Sequence, residues 1–225
     1  MKIFTFGIAR TSVVRTIATL LSPPTALSVP GLVHAECMTT MRLGSPIFSP
    51  GRLQLRNLMM FAAWESEEAI DDFLNRTPLG NVFSKGWHLR MSFLRRWGSV
   101  REFADLPEDT GDYDPLAPVA AFTLARLKIP EVPRFIRWGK PVEELIRDHP
   151  ESSFALAAIR FPRSVATFSM WKSQQAMTDM VQGRGEVEGP DRHAVAMQER
   201  DRRDFHREFT TLRFKPLSEH GAREG

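Results

Sequence analysis

The 225-residue chain has one cysteine and one tyrosine, and no apolar run approaches the roughly 20 residues that a membrane-crossing helix needs. The lone Cys37 excludes an internal disulfide and a zinc site built from cysteines. It fits a reducing compartment, so the cytoplasm is the expected location. Also lacking are a HExxH or paired-histidine motif, carboxylates clustered at metal spacing, a nucleophile elbow and a glycine-rich phosphate loop after a strand. A metal held by protein ligands alone is therefore not expected. Gly183 and Gly185 lack the third glycine and the preceding strand of a dinucleotide fold and read as a linker. Charge of one sign is lacking as well. Thirty Lys and Arg oppose 27 Asp and Glu for a net +3, and the basic residues are scattered, which argues against nucleic acid as a partner.

What is present is an ordinary globular composition, 42% hydrophobic and 25% charged, in a length that suits one large domain or two small ones. The first 35 residues are rich in Thr, Ala and Leu and superficially resemble an export signal. Arg10 and Arg15 interrupt them, and Pro23-Pro24 breaks the only uncharged stretch, Thr16 to Val29. The expectation is a soluble protein, at most peripheral to a membrane.

An internal repeat organises the chain. Asn57-Leu-Met-Met-Phe-Ala-Ala-Trp64 and Val165-Ala-Thr-Phe-Ser-Met-Trp171 are apolar runs that end in Trp, pass through a polar Ser-containing turn and enter helical spacing at Ile70, Phe73 and Leu74, or at Met177, Met180 and Val181. Trp87 to Gly98 resembles Thr211 to Gly221, each an alternating strand followed by Leu, three residues and Gly. Pro30–Met38 matches Pro150–Ala158, each after a helix candidate, Val13–Leu21 and Val132–His149. Met1–Ile8 and Val119–Lys128 supply opening strands. Each half therefore reads β-α-β-β-α-β, a ferredoxin-like unit, with residues 1–105 and 119–225 as the halves and the Pro- and Asp-rich 106–118 as linker. The fold class expected is α+β, tandem ferredoxin-like repeats forming a pseudo-symmetric barrel of the dimeric α+β type. The reason is that each sheet has helices on one face only, and register can place Met59, Phe61, Phe154, Leu156, Phe168 and Met170 on the bare one. A partner sheet on the same chain covers it, and homodimerisation stays open.

The repeat breaks at two insertions, which in a symmetric scaffold are leads to function. One is Ser45–Arg56, expected as a loop. The other is Gly183–Arg207, where a glycine-marked break precedes a helix expected from Asp191 to His206. On that helix His193, Ala196, Met197 and Arg200 share a face. His193 sits near the helix start beside small residues, the setting of a ligand or of a partly exposed first-turn histidine. His206 is expected to be solvated, and His88 to lie in a loop. The ten Met and sixteen Phe read first as core. Any cavity between sheet and helices would be apolar and pliant, suited to a flat hydrophobic cofactor or a hydrocarbon.

The Ala166-Thr-Phe-Ser-Met-Trp171 strand, the Ala176-Met helix, the His193-Ala helix, and Phe205-His-Arg-Glu-Phe209 leading to Arg213-Phe-Lys-Pro-Leu217 and Gly221 resemble the spheroidene monooxygenase family of carotenoid oxygenases. Arg42-Leu-Gly44, Phe61-Ala-Ala-Trp64, Glu67–Leu74 and Trp87–Gly98 agree more loosely. The chain departs from the family in carrying the charged run Glu199–Asp204 where Trp and Tyr are usual. The resemblance implies a haem-dependent monooxygenase acting on an apolar substrate such as a carotenoid. It also implies kinship with ferredoxin-like haem proteins such as chlorite dismutases, dye-decolourising peroxidases and aldoxime dehydratases. Carried over, the iron of haem b falls to His193, with Met197 beside it and Arg192, Arg200 and Arg213 as candidates for the propionates. An external electron donor is then required, since no flavin or nicotinamide site is visible. Two other readings remain: a haem-binding or haem-transfer protein without turnover, and a cofactor-free ferredoxin-like monooxygenase or small-molecule binder. A barrel with a filled core and no ligand is a third.

Overall fold

Two tryptophan-terminated strands, each followed by a serine cap, set the pattern of the fold. The computed structural model describes residues 2–46, 49, 51–184 and 192–223, the last segment without the Arg192 side chain. Its elements in chain order are β1 (Ile3–Arg10), α1 (Val13–Leu21), β2 (Leu32–Met41), β3 (Leu53–Trp64), α2 (Glu67–Arg76), α3 (Gly80–Phe83) and β4 (Trp87–Ser99), then β5 (Val119–Leu127), α4 (Val132–Asp148), β6 (Ser152–Arg160), β7 (Ser164–Trp171), α5 (Gln174–Val181), α6 (Arg192–Arg202) and β8 (His206–His220). The architecture is mixed α+β. No helix among the described residues is long and apolar enough to cross a membrane.

The chain divides into two compact units interleaved in sequence, one of Met1–Thr40, Leu53–Phe93 and Phe214–Gly225, the other of Met41–Arg52 and Leu94–Arg213. In the first, the strand order is β2-β3-β1-β4. Antiparallel pairing sets Phe6 opposite Phe61 and Leu89, and Thr5 opposite Ala62 and Arg90. Residues opposite one another share a face. One face therefore carries Met60, Ala62 and Trp64, packed with Ile70, Phe73, Leu74 and Phe83 of α2 and α3. The other carries Phe4, Phe6, Met59, Phe61 and Met91, all without solvent exposure, and there Phe4 lies 4.9 Å from Phe214, centroid to centroid. Aromatic pairs of this kind add about 0.5–1.5 kcal/mol beyond their burial.

In the second unit the order is β6-β7-β5-β8. Val119 pairs with Trp171 and Phe122 with Phe168 across β5 and β7, and Leu156 with Phe168 across β6 and β7. Val119, Ala121 and Trp171 pack with Leu145 of α4 and Met177 and Met180 of α5. Phe122, Leu156, Phe168 and Met170 fall on the opposite face. The register thus places the named apolar residues of both units away from the helices, as the alternation requires.

The serine caps explain where two helices start. Ser66 accepts from the Ala69 amide at 3.3 Å and Ser173 from the Ala176 amide at 3.1 Å. Just before them, the Trp64 indole donates to Thr5 at 2.8 Å and the Trp171 indole to Ser169 at 2.9 Å. Gly98 and Gly221 adopt φ of 70° and 79°. A Cβ on Gly98 would sit 2.4 Å from the Phe209 carbonyl oxygen, and one on Gly221 would sit 2.2 Å from that of Gly86. Only glycine fits either position.

Four expectations are corrected. The loop placed at Ser45–Arg56 ends sooner, because Leu53–Arg56 extend β3 and the Thr11 amide donates to the Arg56 carbonyl at 2.8 Å; Pro50 within it lies outside the described residues. The helix placed at Asp191–His206 stops at Arg202, where the Asp204 carboxylate caps the His206 amide at 2.8 Å and turns the chain into β8. Gly185 to Asp191 lie outside the described residues. His206 is buried, packed against Phe135, Phe205 and Phe209. His88 lies in β4 and is buried, stacked on His220 at 4.8 Å.

Candidate functional site on the fifth and sixth helices

Helix α5 has eight residues, and its last carbonyls have no partner further along the helix. One of them, Val181, lies 3.1 Å from His193 Nδ1. A carbonyl oxygen only accepts, so Nδ1 carries the proton and donates it, and Nε2 keeps a lone pair with no partner among the described residues. Burial holds the His193 pKa below the ordinary histidine value, with the bond to Val181 opposing. The imidazole is neutral at pH 7.

One turn earlier on α5, Thr178 Oγ1 donates to the Gln174 carbonyl at 2.8 Å and accepts from Arg213 at 3.1 Å. Arg213 thus binds a side chain of α5, and His193 binds the backbone carbonyl at its end. Arg213, on β8, is only 7% exposed. Its guanidinium lies over the Trp97 ring at 4.5 Å, and Arg95 lies over the same indole at 4.4 Å. Arg213 Nε is buried without a hydrogen-bond partner, and among the described residues no carboxylate pairs with the side chain. Burial first, then the Arg95 charge, push its pKa down to about 10, with Tyr113 opposing. The two side chains that bind α5 are thus a neutral imidazole whose Nε2 has no partner among the described residues, and a buried cation lacking an anion among them.

The other expected site residues separate. Met197 follows His193 by one turn on α6 and is partly buried. Arg200 lies over the Phe209 ring at 4.2 Å. Phe209 precedes Arg213 by four residues along β8, about 13 Å at the rise of a strand. The Arg192 side chain lies outside the described residues. Helix α6 is pinned to α4 by charge pairs. Glu199 accepts from Arg134 at 2.6 Å and from Arg202 at 2.7 Å, and these two guanidiniums, Arg202 first, hold its pKa down at about 2. Glu131 accepts from Arg134 and Arg203. The charged run Glu199–Asp204 thus positions the helix that carries His193.

Trp97, Arg95, Thr178 and the Val181 carbonyl were not foreseen. For the first two a signal exists: Arg95 and Trp97 alternate along β4 and share a face. For Thr178 and Val181 none does, because their roles come from what β8 and α6 bring to them. The expected cavity between sheet and helices is nearly filled in the first unit. The void lined by Thr5, Gly7, Met60, Trp64, Phe73 and His88 measures about 10 Å³.

No family model matches the chain, and no curated protein does. Solved structures do resemble it. An aldoxime dehydratase in complex with butyraldoxime is 9% identical over 96% of this chain and 79% of that one, with a TM-score of 0.57. A second aldoxime dehydratase structure is 10% identical over 95% and 81%, with a TM-score of 0.56. A candidate monooxygenase from Fusobacterium nucleatum is 7% identical over 98% and 94%, with a TM-score of 0.42. At these identities the aldoxime dehydratase likeness is one of fold.

Proposed function

We propose that the protein is a haem-dependent monooxygenase similar to spheroidene monooxygenase, with His193 as axial ligand and an apolar substrate such as a carotenoid. The observation that carries this reading is the His193 tautomer: Nδ1–H is donated to the Val181 carbonyl, and Nε2 has no partner among the described residues. That is the form in which histidine binds a metal, with its second nitrogen anchored. The residues fit haem b in a second respect, since the buried Arg213 lacks an anion and a propionate would supply one. Haem, when bound, supplies iron that activates dioxygen or a peroxide, and an external donor provides the electrons. The chain's own part is to keep His193 neutral by burial, fix its ring through Val181, hold α6 in place through Glu199 and Glu131, and neutralise a carboxylate through Arg213. Met197, four residues after His193 on α6, would lie on the side of the group that His193 holds. Tandem ferredoxin-like halves and a cytoplasmic setting belong to the same proposal.

The test is a haem titration followed by absorbance, with His193→Ala in parallel. A sharp Soret band saturating at one haem per chain, and lost in the variant, supports the reading. A broad band that is the same in both refutes it. Turnover of an acyclic polyene by the loaded protein with an added reductase separates an oxygenase from a haem carrier. The alternative is a cofactor-free ferredoxin-like monooxygenase or small-molecule binder. It gains if no haem binds.

A further inference from the structure

Helix α1 buries threonines and exposes apolar residues. Its buried residues are Thr16 and Thr19, and the Thr19 hydroxyl is satisfied by the Arg15 carbonyl at 2.9 Å. Its outward face carries Val14 at 79% exposure, Ile17 at 46% and Leu21 at 82%, with Leu27 fully exposed in the turn that follows. Positions 14, 17, 18 and 21 form one helical stripe, and Ala18 completes it without a polar interruption. Solvent gains nothing from such a stripe, and contiguous exposed apolar surface marks a contact site.

The charges that flank it in sequence have one sign. No Asp or Glu occurs before Glu36, whereas Lys2, Arg10 and Arg15 do. Arg10, Arg15 and Arg56 are exposed, and none makes an ion pair among the described residues. The Thr11 amide is bonded to the Arg56 carbonyl, so β3 brings Arg56 to the start of α1. There Arg10 and Arg56, with Leu53, Gln54, Leu55 and Asn57, line a shallow cavity of about 360 Å³. Two unpaired guanidiniums beside an apolar stripe are complementary to a phosphate headgroup with its acyl chains below.

We infer that α1, the turn through Leu27 and the Arg10–Arg56 cavity form a docking surface for an anionic lipid bilayer. Val14, Ile17, Leu21 and Leu27 enter the acyl boundary, while Arg10, Arg15 and Arg56 meet the headgroups. The inference stands independently of the haem reading.

The experiment is co-sedimentation of the full chain with phosphatidylcholine vesicles and with vesicles containing phosphatidylglycerol, at low and high salt. Binding to the phosphatidylglycerol vesicles alone, weakened by salt, is expected. Arg10→Gln/Arg56→Gln should bind roughly thirtyfold more weakly, from about fivefold per basic side chain. Ile17→Ser/Leu21→Ser should bind at least about tenfold more weakly; both residues are exposed, and circular dichroism checks that the fold is kept. A Leu21→Cys variant carrying an environment-sensitive dye gives an independent readout, because Cys37 is buried and does not label. The dye should shift to the blue on phosphatidylglycerol vesicles only. Absence of binding, or equal binding to both vesicle types, would overturn the inference. So would a dimer in solution that Ile17→Ser/Leu21→Ser converts to monomer, since a second copy would then cover the stripe.

Discussion

Replacing Arg213 by methionine should make the protein without its ligand more stable, although it removes a buried, hydrogen-bonded side chain. The guanidinium is 7% exposed, and burial, added to by Arg95, brings its pKa down to about 10. Relative to the ordinary arginine value, that fall corresponds to about 3 kcal/mol disfavouring the charged form in the folded state. Against it stand the stacking on Trp97, about 1 kcal/mol, and the bond to Thr178, about 1 kcal/mol. The balance predicts that Arg213→Met is about 1 kcal/mol more stable, a rise in Tm of about 2–4 °C for a chain of this size. Urea denaturation at pH 7 measures it. The sign with pH is also set: the burden is present in full below about pH 10 and lifts as pH rises through the folded pKa, so the two curves converge at high pH. Haem should reverse the order by stabilising wild type more than the variant. A variant less stable than wild type by about 1 kcal/mol at neutral pH would mean that the cation is already satisfied by the chain, and Arg213 would cease to be a candidate for an anionic group.

The buried histidines predict an acid limb. Burial first, then His220 and Arg90, bring the His88 pKa to about 4, with Phe83 and Asp71 opposing; for His206, burial outweighs Asp204, and Arg200 and Lys128 assist. Folding favours both neutral forms, so their contribution is complete above the ordinary histidine value of 6.5 and is lost as pH falls from there toward 4. The denaturation midpoint should decline over that window, and His206→Phe should flatten part of the decline; an unchanged slope would count against the assigned burial. Gly98→Ala should cost about 2 kcal/mol or more by thermal denaturation, because a Cβ there meets the Phe209 carbonyl at 2.4 Å in a backbone conformation that L-residues avoid. A neutral result would show that β4 and β8 separate easily at that point.

The features legible in the sequence are those with local causes. Trp64 and Trp171 end their strands, Ser66 and Ser173 cap the next helices, and Gly98 and Gly221 close theirs, because alternation, capping and positive φ are written within a few residues. The α1 helix falls at Val13–Leu21 for the same reason. What the residues could not disclose depends on distant contacts. Leu53–Arg56 look like loop until the pairing of β3 carries the strand back through them. His206 looks solvated among arginines until Phe135 and Phe209 close over it. At the candidate site His193 was visible from its helix position. Its anchor was not, because Val181 contributes only a backbone carbonyl, and that group is the same in every residue type except for where the chain places it.

That anchor has an electronic consequence. The Val181 carbonyl sits at the negative end of α5, and a proton shared with it shifts electron density into the imidazole ring. The bond thereby strengthens Nε2 as a σ-donor, against the effect of burial. A metal with two accessible oxidation states held there would be biased by that bond toward the higher one.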